Sequence, residues 1–230
     1  MRTRVFERIS TGSSAFDDLL GGGVSKVSLT DVFGAAGTGK TQFAFQNLLT
    51  TRSKSDDSKP RSVFVDCTGS FRPERIVEMA KARKLDYESI LEGIYTIYVR
   101  SVDEQKFVTE RVAKEEIFSK CRLVVVDDAT SNFVVEFGDD EIAARQTALS
   151  LYVRGLVVLA YSRGISVLVT NSARSRGKLG EGETTGEIFS QFALYRLHFE
   201  RNDVMRTATL LQPLSKRKTI GFEITESGVN

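Results

Sequence analysis

The sequence predicts an α/β fold: a mainly parallel sheet with helices on both faces and an antiparallel C-terminal extension. Three observations carry this. Short β-rich runs alternate with helical patterns through most of the chain, as consecutive βαβ units with right-handed crossovers do. Runs such as Leu123-Val124-Val125-Val126 do not alternate apolar with polar, which suits strands buried on both faces of a parallel sheet. Beyond residue 190 the helical patterns give out, and strand-like runs follow one another across short polar links.

Taken in order, a strand over 26–33 runs into a glycine-rich turn and a helix over 41–51. The polar stretch 51–60 has no periodicity and reads as a loop before a strand over 63–66. A helix over 73–83, a strand over 94–99, a helix over 104–119 and a strand over 123–127 follow. Residues 138–141, a glycine and three acids, form a loop ahead of a helix over 142–163. In that helix Ile142, Leu149, Val153, Leu156 and Ala160 recur at three-, four- and seven-residue steps, the stripe of a helix packed on the sheet. After a strand over 165–170, residues 172–186 are rich in Gly, Ser, Thr and charge, and loops of that length in compact domains are usually functional or mobile. The last strands cover 192–200, 208–211 and 220–225. Alternation in the first of these places Arg196, His198 and Glu200 on one face and Tyr195, Leu197 and Phe199 on the other, which reads His198 as a surface residue. No repeat or linker divides the chain, so residues 1–230 read as one domain.

Composition removes several classes. A compact chain of 230 residues buries ~70% of its unfolded surface, and 41% hydrophobic with 27% charged residues argues against disordered or fibrous chains. The net charge of +2 neither demands nor excludes nucleic acid. Cys67 and Cys121 form no metal or redox spacing, which makes a reduced, cytoplasmic setting the default. One histidine rules out His-rich metal sites. The longest apolar stretch, 155–161, is too short to cross a bilayer, and the first residues lack the apolar core of a signal peptide. Membrane, secreted and zinc classes fall away.

The strongest motif is Gly34-Ala35-Ala36-Gly37-Thr38-Gly39-Lys40-Thr41, which satisfies G-x-x-x-x-G-K-[ST] between a strand and a helix. Glycines let backbone N–H groups turn inward around phosphate oxygens, and the helix N-terminus adds its positive dipole end. Lys40 would reach the β- and γ-phosphates, and the Thr41 hydroxyl would ligate Mg²⁺. The strand Leu123-Val124-Val125-Val126-Asp127 ends in an acid placed as a Walker B carboxylate, so Asp127 is the second candidate for the Mg²⁺ shell. Asp128 points the other way in an extended strand.

Further stretches match one family. Ser10-Thr11-Gly12 through Leu19-Leu20-Gly21-Gly22-Gly23, Thr30-Asp31-Val32-Phe33-Gly34, Gly39-Lys40-Thr41-Gln42, Phe71-Arg72-Pro73-Glu74-Arg75, Ala129-Thr130-Ser131-Asn132-Phe133, Ala144-Arg145-Gln146, Thr170-Asn171 and Phe222-Glu223-Ile224-Thr225-Glu226-Ser227-Gly228-Val229 resemble the ATPase core of RadA-type recombinases of the RecA superfamily. They span nearly the whole chain in the family's order. The likeness is greatest to recombinase paralogues of the archaeal RadB kind. It implies a RecA-like P-loop NTPase core that binds ATP with Mg²⁺ through Gly34 to Thr41 and Asp127.

The departures from the family pattern are informative. Full recombinases carry an N-terminal helical DNA-binding domain and a linker with a polymerisation motif, for which this sequence leaves no room. The family's Asp-Thr-Glu-Gly carries a glutamate that polarises the attacking water, whereas here Asp66-Cys67-Thr68-Gly69 puts Thr68 in its place. A threonine hydroxyl is no base near neutral pH, so general-base assistance, typically ~10²–10⁴-fold, would be missing. The family's Asn-Gln pair reads Asn171-Ser172, a shorter side chain that weakens coupling between ATP and the following loop.

The first DNA-contacting loop reads Phe133-Val134-Val135-Glu136-Phe137-Gly138-Asp139-Asp140-Glu141, and an acidic loop repels phosphate. The second keeps Arg174, Arg176 and Lys178, which the resemblance assigns to DNA. Without interleaved aromatics such binding would be backbone-directed and salt-sensitive. Lys216, Arg217 and Lys218 stay open between DNA contact and a solvated surface. Arg145, Arg154 and Arg163 read as solvent or helix-end charges rather than a transferred arginine finger, and Arg72 stays open between the nucleotide base and a helix-start charge.

The leading expectation is an ATP-binding recombinase paralogue acting in homologous recombination and DNA repair, with DNA binding and weak or absent hydrolysis. Its partners would be single-stranded DNA, the main recombinase or another paralogue, and further copies in a homo- or hetero-oligomer, with no membrane. The competing readings are a nucleotide-dependent scaffold without DNA contact, favoured by the acidic loop, and a KaiC-like ATPase of the same superfamily.

Overall fold

The computed structural model describes residues 7–51, 61–138, 140–172, 186–203 and 205–230. A short strand β1 (Arg8–Ile9) precedes α1 (Ser14–Leu20) and pairs antiparallel with β2 (Val24–Ser25). Then come β3 (Ser28–Gly34), α2 (Lys40–Thr50), β4 (Arg61–Asp66), α3 (Pro73–Ala82), α4 (Tyr87–Glu92) and β5 (Ile94–Tyr98). The middle of the chain forms α5 (Val102–Lys114), β6 (Cys121–Asp127), α6 (Ser131–Phe137), α7 (Ile142–Arg163) and β7 (Ser166–Ser172). The last part is α8 (Gly186–Phe192), β8 (Tyr195–Arg201), β9 (Arg206–Gln212), β10 (Lys218–Phe222), β11 (Ile224–Thr225) and β12 (Gly228–Val229).

Eight strands make the central sheet in the order β10-β9-β8-β3-β7-β6-β4-β5. From β8 to β5 all neighbours are parallel, and β9 and β10 add antiparallel pairs at one edge. This is the RecA-like α/β core. The antiparallel part starts one strand later than the sequence reading has it. The reason is α8, which carries the chain back across the sheet so that β8 enters parallel to β3.

The strands bury both faces, which is why their runs do not alternate. Leu123 and Val125 of β6 join a core with Phe16, Phe43, Phe45 and Ile76 from α1, α2 and α3. Val124 and Val126 join the opposite core with Val108, Leu149, Val153, Leu156 and Phe189 from α5, α7 and α8. The helix expected over 104–119 stops at Lys114 and gives way to a 3₁₀ turn, Glu116–Phe118. Its start is set by Ser101, whose side chain accepts from the Glu104 amide.

Two sequence readings are corrected here. His198 is half-buried rather than fully on the surface: its ring stacks on Phe33, with centroids 4.7 Å apart, and Arg196 beside it is buried against Asp31. β8 lies inside the sheet between β3 and β9, so alternation alone does not decide which of its faces meets water. Arg145 is likewise buried rather than solvated, and its guanidinium donates to the Gly138 carbonyl at 2.5 Å. The apolar stretch 155–161 is part of α7, 22 residues long and, by length and composition alone, able to span a bilayer. Its inner side packs on β3 and β7 as a core helix.

Candidate functional site

The P-loop motif leaves the carboxyl end of β3 and enters α2. Gly34 has φ 151°, and a Cβ there would lie 2.0 Å from the Phe199 carbonyl oxygen, so only glycine fits. Gly39, φ 111°, sits against Ile224, whose Cδ1 a Cβ would approach to 3.1 Å. Phe16, Phe43, Phe199 and Phe222 pack beneath with centroids 4.8–5.7 Å apart, which fixes the loop from below.

Lys40 is buried, and its Nζ donates to the carbonyls of Gly34 at 2.8 Å and Ala35 at 3.0 Å. Burial pushes its pKa down, while Asp128 and Asp127 pull the other way. The Thr38 hydroxyl donates to the Ala35 carbonyl at 2.9 Å. The Thr41 hydroxyl donates to Asp127, 3.0 and 3.2 Å from its two carboxylate oxygens. The two residues nominated for Mg²⁺, 86 positions apart in the sequence, are thus in direct contact. Asp128 turns elsewhere and accepts from the amide and hydroxyl of Thr130 at 2.9 and 2.7 Å.

The structure adds residues that sequence reasoning missed. Ser70 Oγ donates to Asp127 at 2.8 Å, and the Thr170 hydroxyl also donates to Asp127. Three hydroxyls from α2, from the turn after β4 and from β7 therefore hold one carboxylate. Burial pushes the Asp127 carboxyl up, and these hydrogen bonds oppose the shift. Ser70 is presented by Asp66, whose carboxylate accepts from the amides of Thr68, Ser70 and Phe71 at 3.0–3.2 Å. An Asp at a strand end before a Ser-Gly-rich turn is the signal that was available for this. Thr170 could be found only from the β6–β7 register, which pairs Val126 with Val169. Asn171, fully buried behind, accepts from Thr130 at 3.4 Å, and its Nδ2 has no partner among the described residues.

Thr68 is exposed on the turn. Arg72, exposed at the start of α3, folds onto the Gly69 and Phe71 carbonyls at 2.9 and 2.8 Å. The acidic first loop is partly helical, as α6. Glu136 in it accepts from the Val102 amide at 2.6 Å, which caps α5. Arg174, Arg176 and Lys178 lie outside the described residues. Lys216, Arg217 and Lys218 are exposed around a 3₁₀ turn, Leu214–Lys216.

These features fit the phosphates and Mg²⁺ of a nucleotide. The loop can be closed only by glycine at Gly34, and the donor set of hydroxyl and carboxylate oxygens suits a hard cation. Among the described residues no group of three or more His, Cys, Asp or Glu could hold a metal by itself. A cation at Thr41 and Asp127 would complete its shell with phosphate oxygens and water.

A model of the Rad51 family matches residues 1–209 of the chain. The DNA repair and recombination protein RadA of Cenarchaeum symbiosum (strain A) is 32% identical over 230 residues, an alignment covering 96% of this chain and 58% of the relative. The chain therefore spans less than two thirds of that relative's length.

Proposed function

The chain belongs to the Rad51 family, and from that premise we propose that it is an ATP-binding recombinase paralogue of homologous recombination and DNA repair. It binds Mg-ATP and hydrolyses it weakly. The observation that carries this reading is the part-buried Thr41–Asp127 contact beside an exposed Thr68. The groups that bind nucleotide are assembled, and the group that would activate water is a hydroxyl.

In this reading the amides of the loop from Gly34 to Thr41 and the Lys40 ammonium receive the phosphates, with ribose and base left outside the motif. Thr41 and Asp127 hold Mg²⁺, which when bound neutralises phosphate charge. Ser70 and Thr170 orient Asp127 and keep its oxygens directed at that position. Arg174, Arg176 and Lys178 supply backbone-directed contacts to single-stranded DNA, and the setting is cytoplasmic. The protein assists a main recombinase or another paralogue.

The test is ATP binding and turnover by the purified chain, with and without single-stranded DNA. Tight binding that Lys40→Ala abolishes, with near-zero turnover, supports the proposal. Thr68→Glu should then raise turnover by ~10²–10⁴-fold, the worth of a general base. Brisk DNA-stimulated turnover by the unaltered chain would sink the weak-hydrolysis reading.

A further inference from the structure

The helix α7 has a second ordered face. Its inner side buries Leu149, Tyr152, Val153, Leu156, Leu159 and Ala160. On the outer side Ala144, Thr147, Leu151, Arg154, Val158 and Tyr161 recur at alternating steps of three and four, and all six are exposed. Leu151, Val158 and Tyr161 are 62%, 58% and 77% exposed. A 3.5-residue repeat of this kind is the seam along which one helix packs on another. Isolated exposed apolar residues need no explanation, but Leu151, Val158 and Tyr161 share one face with Ala144, interrupted only by Thr147 and Arg154.

Gly155 stands beside the stripe in mid-helix, where glycine weakens a helix relative to alanine. A Cβ at Gly155 would meet nothing within 4 Å among the described residues, so none of them requires glycine there. The other positions flanking the seam include Ala148, Ser150 and Ser162. Small flanks let a second helix approach closely, whereas a solvated helix would carry charges there.

We propose that this face joins two copies of the chain, with their α7 helices antiparallel about a twofold axis passing between Tyr152 and Val153. In that register the stripe maps onto itself. Ala144 lies opposite the second copy's Tyr161, Thr147 opposite Val158, and Leu151 opposite Arg154, so the small Ala144 meets the large Tyr161 at each end and side chains of medium or greater size meet in the inner layers. Charge agrees with shape. A groove of about 390 Å³ runs beside Thr147 and Leu151 and is lined on the α8 side by Glu187, Ile188 and Gln191. The Arg154 brought opposite Leu151 therefore arrives beside Glu187. Both groups are exposed, and neither forms an ion pair among the described residues. The twofold axis repeats the pair, as an isologous interface requires. The stripe runs ~25 Å along the helix. Two such faces bury on the order of 1,000 Å², the low end for a specific interface, so the dimer would be of moderate affinity. This surface is separate from the P-loop, and the dimer does not need nucleotide.

The test is sedimentation equilibrium on the full chain without nucleotide, from about 1 to 100 µM. A monomer–dimer equilibrium is expected. Val158→Asp, Arg154→Glu and Glu187→Arg should each weaken it at least about tenfold, with thermal melts showing that the variants fold. The exchange Arg154→Glu with Glu187→Arg should restore the dimer, a result that any other mode of self-association would not give. A chain that stays monomeric to 100 µM, or a dimer indifferent to these changes, overturns the proposal. So does stripe-dependent binding to phosphatidylcholine–phosphatidylglycerol vesicles in place of dimerisation.

Discussion

The Arg75 guanidinium ties the end of the chain to the start of the P-loop helix: its Nε donates to Oε1 of Gln42 at 2.7 Å. The same guanidinium donates to the Thr225 carbonyl at 2.5 Å, at the end of β11, and to the Glu226 carbonyl at 3.2 Å, in the turn to β12. Gln42 follows Thr41 directly, and Ile224 lies against Gly39. The C-terminal hairpin thus braces the loop from two sides. Gln46 adds a third tie by accepting from the Val229 amide at 2.6 Å.

Arg75→Met should release this brace. Losing the hydrogen bonds to the hairpin should lower stability by about 1–3 kcal/mol, read by urea unfolding. Nucleotide affinity, measured by calorimetry, should fall several-fold as well. Unchanged affinity would reduce the hairpin to a structural role.

Ser70→Ala tests the set of hydroxyls around Asp127. Groups that orient a metal ligand typically contribute ~10–100-fold to metal affinity or activity. Mg²⁺-dependent ATP binding should weaken by that factor, with little change in binding measured in EDTA. An equal loss in both conditions would mean that Ser70 shapes the loop rather than the cation position.

The buried pair Arg196–Asp31, 2.9 Å between Nε and Oδ2, makes a stability test. Arg196→Met takes the guanidinium away from the buried Asp31 carboxylate and should cost about 3–5 kcal/mol. Adding Asp31→Leu should recover most of that loss, because a buried ion pair is often replaceable by apolar side chains. A double variant no more stable than the single one would show that the neighbours of Asp31 carry the energy.

Alkaline pH should destabilise the fold through Cys121. Burial pushes this thiol up to about 11. Below its unfolded value, ~8.5, both states hold the proton and the term has no pH dependence. As pH rises from there towards 11, only the unfolded state ionises and stability is lost, on the order of 3 kcal/mol at ~1.4 kcal/mol per pKa unit. Cys67, raised by burial and by Asp128, Asp127 and Asp66, acts with the same sign. Urea melts from pH 8 to 10.5 measure the slope, and Cys121→Ala should reduce it, leaving the part due to Cys67.

Much of the fold was legible because its signals are local. The P-loop needs only a strand, a turn and a helix contiguous from Ser28 to Thr50, and each part carries its own chemistry in the chain. The two-sided burial of the parallel strands shows as the uninterrupted apolar run of β6. By contrast α1, α4, α6 and α8, each six or seven residues long, offer too few turns for a periodic pattern.

The sequence by itself determined the family, the layered sheet, the phosphate loop and the acid of β6, since each is written in contiguous residues. Only the tertiary structure decided what surrounds that acid. Ser70 and Thr170 reach Asp127 because β4, β6 and β7 lie side by side with their ends in register, a relation between segments that no single segment records. The same holds for the half-buried His198 and the buried Arg196, whose surroundings are Phe33 and Asp31 of the neighbouring strand β3. It holds for the outer face of α7 too. That helix is apolar on most sides, and only its packing on the sheet shows which stripe is left exposed.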